Sequence, residues 1–286
     1  MKTIGIIGLG LIGGSMAKTI RTNTKYRVYG LDANPDVIKL AIEQNIVYRE
    51  LNHENAKDCD YFIVALYPKD IFNVVREYAK YMKKGTILID CTGVKKIVHR
   101  ELSAELKDMG IYFIGGHPMA GKEVAGYLNA DNSLYDNASM ILCRDEYTDE
   151  GAYYEAVELF KEIGFPRIKE STPEEHDQVI AFTSQMAHVV SNAYVKSPTL
   201  HERYGFSAGS FKDLTRVAKL NEYMWADLFL ANREALISEL DIFVKNINKY
   251  QEALEAKDKD GLISLLREGR ELKELDIERD NNAKNS

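Results

Sequence analysis

Two short stretches carry residue types that could do chemistry. The first is "GGHPMAGKEVAG", residues 115–126, in which His117 sits between Gly116 and Pro118. A histidine is neutral or charged near pH 7, so it can take a proton from a hydroxyl and return it. Taken alone, a lone histidine at a strand end is more often structural than catalytic. The second stretch is "GIIGLGLIGGS", which holds Gly8, Gly10, Leu11, Ile12 and Gly13 in a GxGxxG spacing. It follows an apolar run and opens a helical pattern. In that setting the first glycine makes a tight turn, the second admits a pyrophosphate, and the third lets helix and strand pack closely. Asp32 ends the next apolar run, about twenty residues on, where a carboxylate binds ribose hydroxyls. No Arg or Lys follows it in "DANPD", which favours NAD over NADP.

Two further groups are weaker signals by themselves. Ala181, Ser184, Gln185, His188, Ser191 and Asn192 share one face of a predicted helix, and no Lys, Arg or Glu falls between 181 and 195. That small, polar face either lines a site or is simply solvated. The opposite face, with Val179, Phe182, Met186, Val189 and Ala193, reads as core. In "AGSFKDLTRVAK", Lys212 and Arg216 are spaced i, i+4 beside Asp213. They can clamp carboxylates, Arg bidentately, or form an ordinary surface ion-pair group.

The elements that must position these residues follow from the apolar pattern. Runs at 3–8, 26–32, 61–66, 86–91, 111–116, 139–144 and 166–171 are mostly continuous, as in strands buried on both faces. Helical stretches lie between them, which predicts a Rossmann-like, doubly wound α/β domain with a mostly parallel sheet over residues 1–171. His117 then falls on the rim where such sheets bind ligands, beside the glycine loop. At "STPEEHDQ", Thr172, Pro173 and Glu175 give a helix-start signal. From there the pattern is helical: 173–196, 211–219, 222–257 and 260–276, with a polar tail expected to be disordered. Residues 172–286 are therefore expected to be an all-helical substrate and dimerisation domain. Its long apolar stripe (Met224, Leu228, Leu236, Leu240, Phe243, Ile247) calls for other helices, those of a second subunit included.

Composition narrows the partners. The 286 residues are 45% hydrophobic and carry a net charge of −7, with no Lys/Arg-rich run. Nucleic acid is not an expected partner, and an anionic substrate would need a local positive cluster. Three cysteines without CxxC spacing read as reduced, buried thiols in a cytoplasmic protein. No apolar run is long enough to span a membrane, and no metal site is expected.

Together, "GLGLIGGS", "GLDANP", "GGHPMAGKE", "PEEHDQV", "SQMAH", "FKDLTRVA" and "MWADLFLANRE" resemble the prephenate/arogenate dehydrogenase family over nearly the whole chain. The resemblance implies NAD-dependent oxidative decarboxylation of a cyclohexadiene in tyrosine biosynthesis. His117 would take the C4 hydroxyl proton, and Arg216 would bind a substrate carboxylate. Glu123 would act as a gate, Lys212 and Asp213 as charges at the pocket mouth, and His188 and Gln185 as pocket lining. His176 also matches a family histidine, in a helix's first turn.

The sequence departs from the family pattern in three places. A serine common beside the catalytic histidine is Gly93 here, so Thr92 or a water would supply the hydroxyl. Gln185 stands where some members carry histidine, and Lys122 where threonine is usual. Prephenate dehydrogenase is the leading reading and arogenate dehydrogenase its rival. A catalytically silent NAD-binding sensor is the alternative from another class.

Overall fold

The structure, a computed structural model, describes every residue except 123 and 286. By compactness the chain forms two units, Met1–Ala235 and Leu236–Ser286.

In the first unit, eight strands form one sheet in the order β3-β2-β1-β4-β5-β6-β7-β8. They are β1 (Thr3–Ile7), β2 (Arg27–Leu31), β3 (Arg49–Glu50), β4 (Tyr61–Val64), β5 (Ile87–Asp90), β6 (Tyr112–Pro118), β7 (Ser139–Cys143) and β8 (Arg167–Ser171). All neighbours pair in parallel except β6 with β7. Among its described residues, the connection from β6 to β7 holds a short 3-10 turn, Tyr127–Asn129, and no crossover helix. An antiparallel return needs no crossover helix.

The continuous apolar runs are strands because both faces are covered. Ile4, Ile6, Ile63 and Ile89 point into one core with Met16 and Ile20 of α1 (Leu11–Asn23) and Phe160 of α5 (Glu150–Ile163). Ile7, Phe62, Val64 and Leu88 point into the other. There they meet Ile71 and Val75 of α3 (Pro68–Ala79) and Val98 and Leu102 of α4 (Lys96–Asp108). The period-two alternation of strand side chains divides each run between the two cores. One further helix, α2 (Pro35–Glu43), is capped by Asn34, which accepts from the Asp36 N–H. The doubly wound, mostly parallel α/β architecture is thus as the sequence predicts. The two-residue β3 is an addition, for its exposed Arg49 and Glu50 carry no apolar signal.

After β8 the chain is helical: α6 (Pro173–Ile180), a π turn (Ala181–Gln185), α7 (Met186–Tyr194), α8 (Gly209–Thr215) and α9 (Glu222–Ala231). Thr172 caps α6 in a full capping box with Glu175, as the sequence signal requires. Two expected helices are interrupted. The span 173–196 contains the π turn, and the span 222–257 breaks at Asn232 before α10 (Arg233–Glu255). The faces of the first span agree with expectation in part, since Met186 of the apolar face is buried. Ala181, Gln185 and Ser191 are buried, whereas Val179 and Phe182 are 56% and 66% exposed in the single chain.

In the second unit, α10 and α11 (Lys259–Asn285) are joined at Lys257, which has a positive φ of 54°. The tail expected to be disordered continues α11 as far as Asn285 instead, with no Pro or Gly to stop it after Gly269. No helix among the described residues is long and apolar enough to cross a membrane. Cys59, Cys91 and Cys143 are free and buried, and burial pushes each thiol up to about 12.

Candidate active site

The glycine loop joins β1 to α1. Gly8 has φ +90°, and a Cβ there would lie 2.4 Å from the Ala65 carbonyl oxygen. A Cβ on Gly13 would lie 1.8 Å from the Gly8 carbonyl oxygen, so helix and strand meet at a distance that only glycine allows. Gly10 differs: a Cβ there would touch nothing within 4 Å. The chain's own packing therefore does not explain glycine at position 10, whereas close approach of a ligand does. Gly10 is the N-cap of α1, and no side chain caps that helix or adds an acid to its first turn. The first-turn amides, Leu11 and Ile12 included, are left for an anion. Asp32 lies just after β2. Its Oδ2 accepts from the Leu9 N–H at 2.7 Å and its Oδ1 from the Asn34 N–H at 2.9 Å. Both oxygens keep a second lone pair for hydroxyls. These residues fit a dinucleotide.

His117 is the penultimate residue of β6, inside the strand and opposite Ile141, rather than beyond the strand end as expected. It is partly exposed. Its Nδ1 lies 2.8 Å from Nε2 of His176, and His176 Nδ1 lies 2.7 Å from Oδ1 of Asp177. Burial holds the His117 imidazole well below its ordinary value, with His176 and Lys95 adding to the shift. Burial also lowers His176, against the pull of Asp177.

Thr92, expected to offer a hydroxyl beside His117 unless a water does, has close partners of its own. Its hydroxyl lies 2.5 Å from Asp90 Oδ2 and 2.9 Å from the Val94 carbonyl, and it accepts from Lys95 Nζ at 3.1 Å. Asp90 and Lys95 form an ion pair that is wholly buried on both sides. Thr92 serves that pair, and the ring partner of His117 is His176. Gly93 has its own neighbour, since a Cβ there would lie 3.1 Å from Cδ2 of Leu228 in α9.

A second cluster forms around α7. His188 Nδ1 donates to the Val217 carbonyl at 3.1 Å, and its ring packs against Trp225 at a tilt of 42° with centroids 3.7 Å apart. Burial lowers the His188 imidazole, and the nearby Arg216 guanidinium lowers it further. Asn192 donates to the Ala218 carbonyl at 3.4 Å, so α7 holds the 3-10 turn Arg216–Ala218 that follows α8. Lys212 and Asp213 are exposed on α8. Gln185 is 1% exposed and its amide is committed: Nε2 donates to the Leu228 carbonyl at 3.4 Å, and Oε1 accepts from Asn232 at 2.9 Å. It braces α9 rather than offering a free polar group. Glu123 lies outside the described residues. No group of three or more His, Cys, Asp or Glu among the described residues could hold a metal.

Sequence reasoning noted His176 only as a match to a family histidine in a helix's first turn, and did not single out Asp177, Asp90 or Lys95. The signals were "HD" at a capped helix start and an Asp–Lys pair flanking "CTGV". Neither spacing reveals that residues from β6 and α6 meet.

A parallel sheet with this glycine loop, an acidic residue after β2 and an imidazole near the C-terminal rim defines a dinucleotide-dependent dehydrogenase. A family model described as the nucleotide-binding domain of prephenate dehydrogenase matches residues 16–168. A second, described as its dimerization domain, matches residues 172–268. The chain belongs to the prephenate dehydrogenase family. It is 29% identical over 268 residues to prephenate dehydrogenase of Bacillus subtilis, covering 91% of this chain and 72% of that one. It is also 29% identical to cyclohexadienyl dehydrogenase of Zymomonas mobilis, over 93% of each. Among solved structures it resembles prephenate dehydrogenase from A. aeolicus in complex with hydroxyphenyl propionate and NAD+. That likeness has a TM-score of 0.84 at 27% identity, over 97% of this chain and 98% of the other.

Proposed function

We propose that the chain catalyses the NAD-dependent oxidative decarboxylation of prephenate to 4-hydroxyphenylpyruvate, as a homodimer whose helical part begins at residue 172. The observation that carries this reading is His117 on the sheet's ligand-binding side, held neutral by burial and by the Lys95 charge. Its Nδ1 is engaged by His176, which leaves Nε2 as the ring nitrogen to face a substrate.

In this reading Gly8, Gly10 and Gly13, with the Leu11 and Ile12 amides, hold the pyrophosphate, and Asp32 holds the ribose. Bound NAD supplies the acceptor for the hydride that leaves C4 of the ring. His117 takes the C4 hydroxyl proton as that bond changes. The ring carboxylate departs as carbon dioxide, and its bonding electrons complete the aromatic ring. The proton returns to the oxygen, so the product is a phenol and no net proton is released. Arg216 binds a substrate carboxylate, and His188, fixed through Val217 and Trp225, lines the pocket. Lys212, Asp213 and Glu123 bear on the mouth of the pocket. Aromatisation makes the step downhill, so the protein's task is placement and charge control.

The test is an NAD-reduction assay on one preparation with prephenate, arogenate and an NADP control. NADH formation with a higher kcat/KM for prephenate than for arogenate is expected. A preference for arogenate would reassign the substrate, and no reduction with either would reject the activity.

A further inference from the structure

The contacts behind His117 determine which of its nitrogens can act as a base. Asp177 lies in α6 with its carboxylate 3% exposed. Its Oδ1 accepts from the Lys95 N–H at 2.7 Å and its Oδ2 from the Lys96 N–H at 2.9 Å. Those two amides open α4, which has no side-chain cap of its own. Both oxygens of this carboxylate already accept amides, and a carboxylate group offers acceptors. It can therefore only accept from His176, so the His176 proton is on Nδ1, 2.7 Å away.

A neutral His176 then presents a lone pair at Nε2, and His117 Nδ1 at 2.8 Å must donate to it. The Nε2–H form of His117 would set two lone pairs face to face. One other arrangement would reverse the tautomer, namely a charged His176 donating from both nitrogens. The surroundings oppose it. His176 is 2% exposed, and the buried Lys95 cation before α4 acts against a second positive charge. Asp90 on β5 and Asp177 on α6 act the other way, but Asp90 is already paired with Lys95.

We propose that His176 and Asp177 are positioning residues that lock His117 in the Nδ1–H tautomer and so make Nε2 its proton-accepting atom. This deepens the proposed function, because it rests on His117 taking the substrate proton. It also gives Asp177 two tasks. One carboxylate caps α4 and orients the relay, so the turn after β5, the strand β6 and the helix α6 are fixed together. When His117 takes the proton, the new positive charge is bonded through His176 to that carboxylate.

The tautomer can be read in the unmodified full-length protein. With 15N-labelled histidine, the six histidines are resolved by NMR, and His117→Asn identifies the relevant signals. A protonated Nδ1 and an unprotonated Nε2 on His117 at pH 7.5 are expected. An unprotonated Nδ1 would overturn the proposal whether or not the enzyme acts on prephenate.

A second measurement uses His176→Leu and His176→Gln. Leucine removes the acceptor and should lower kcat by about 10²–10⁴, the scale of losing a correctly oriented base, with KM and NAD affinity within about threefold. Glutamine offers a carbonyl oxygen to Nδ1–H and should recover turnover to within about tenfold of the parent. Equal losses in both variants, or no loss in the leucine variant, would contradict the positioning role. Should His117→Asn turn over normally while the tautomer is as proposed, the reading of the reaction fails and the geometry stands.

Discussion

At the scale of single residues, His117 owes its properties to side chains from other elements. Burial, His176 and Lys95 all favour its neutral form. The acidic limb of kcat/KM should therefore lie below the ordinary histidine value of about 6.5, with activity flat from pH 8 down to that value. A limb centred above pH 7 would show that a different group controls the rate. The same shift has a stability consequence of fixed sign. The folded state holds His117 and His176 neutral, so the unfolded chain binds more protons below about pH 6.5. Stability is full above that pH and falls as the pH drops toward the lowered values.

Arg216 is tested separately. Arg216→Ala should weaken substrate binding by about 2–5 kcal/mol if the carboxylate pair is desolvated, and leave NAD affinity unchanged. A loss confined to NAD would remove it from the substrate pocket. His117 and Asp32 could be singled out from the sequence by their settings, whereas Arg216 was singled out through the family resemblance. The His176–Asp177 relay could not, since adjacent helix positions give no hint that a strand histidine lies 2.8 Å away.

At the scale of elements, the glycine loop separates two roles that its spacing alone merges. Gly13→Ala places a Cβ 1.8 Å from the Gly8 carbonyl oxygen and should destabilise the fold. Gly10→Ala meets nothing within the chain and should melt near the parent's Tm while losing at least about tenfold in NAD affinity, the cost of crowding the pyrophosphate. Calorimetry and NAD titration check both. Unchanged NAD binding in Gly10→Ala would move the cofactor away from this loop.

The strands were legible because both of their faces are apolar. The helix interruptions were not, because tertiary contacts accompany them. Asn232 breaks the span 222–257 while its side-chain amide donates to the Asp177 carbonyl at 2.8 Å and to Gln185 at 2.9 Å. The π turn ends at that same Gln185. Such turns often fall at functional sites, and this one fixes α7, which carries His188.

At the scale of the whole molecule, the helical half exposes more apolar surface than an isolated chain keeps in water. Val179 and Phe182 are more than half exposed, and Ile237, Val244, Leu266 and Leu272 are 50%, 53%, 62% and 62% exposed. Val179 and Phe182 were read as core from periodicity, which does not distinguish packing within one chain from packing against a second subunit. Sedimentation at micromolar concentration should show a dimer, and specific activity should fall on dilution through its dissociation range. A monomer at tens of micromolar with full activity would contradict this.

The central claim is that His117 is the proton acceptor of an NAD-linked dehydrogenase. The most direct measurement compares kcat with prephenate, and the NAD dissociation constant, for the parent and His117→Asn. The account predicts a fall in kcat of about 10²–10⁴ with NAD affinity within about threefold of the parent. Turnover equal to the parent's would contradict it.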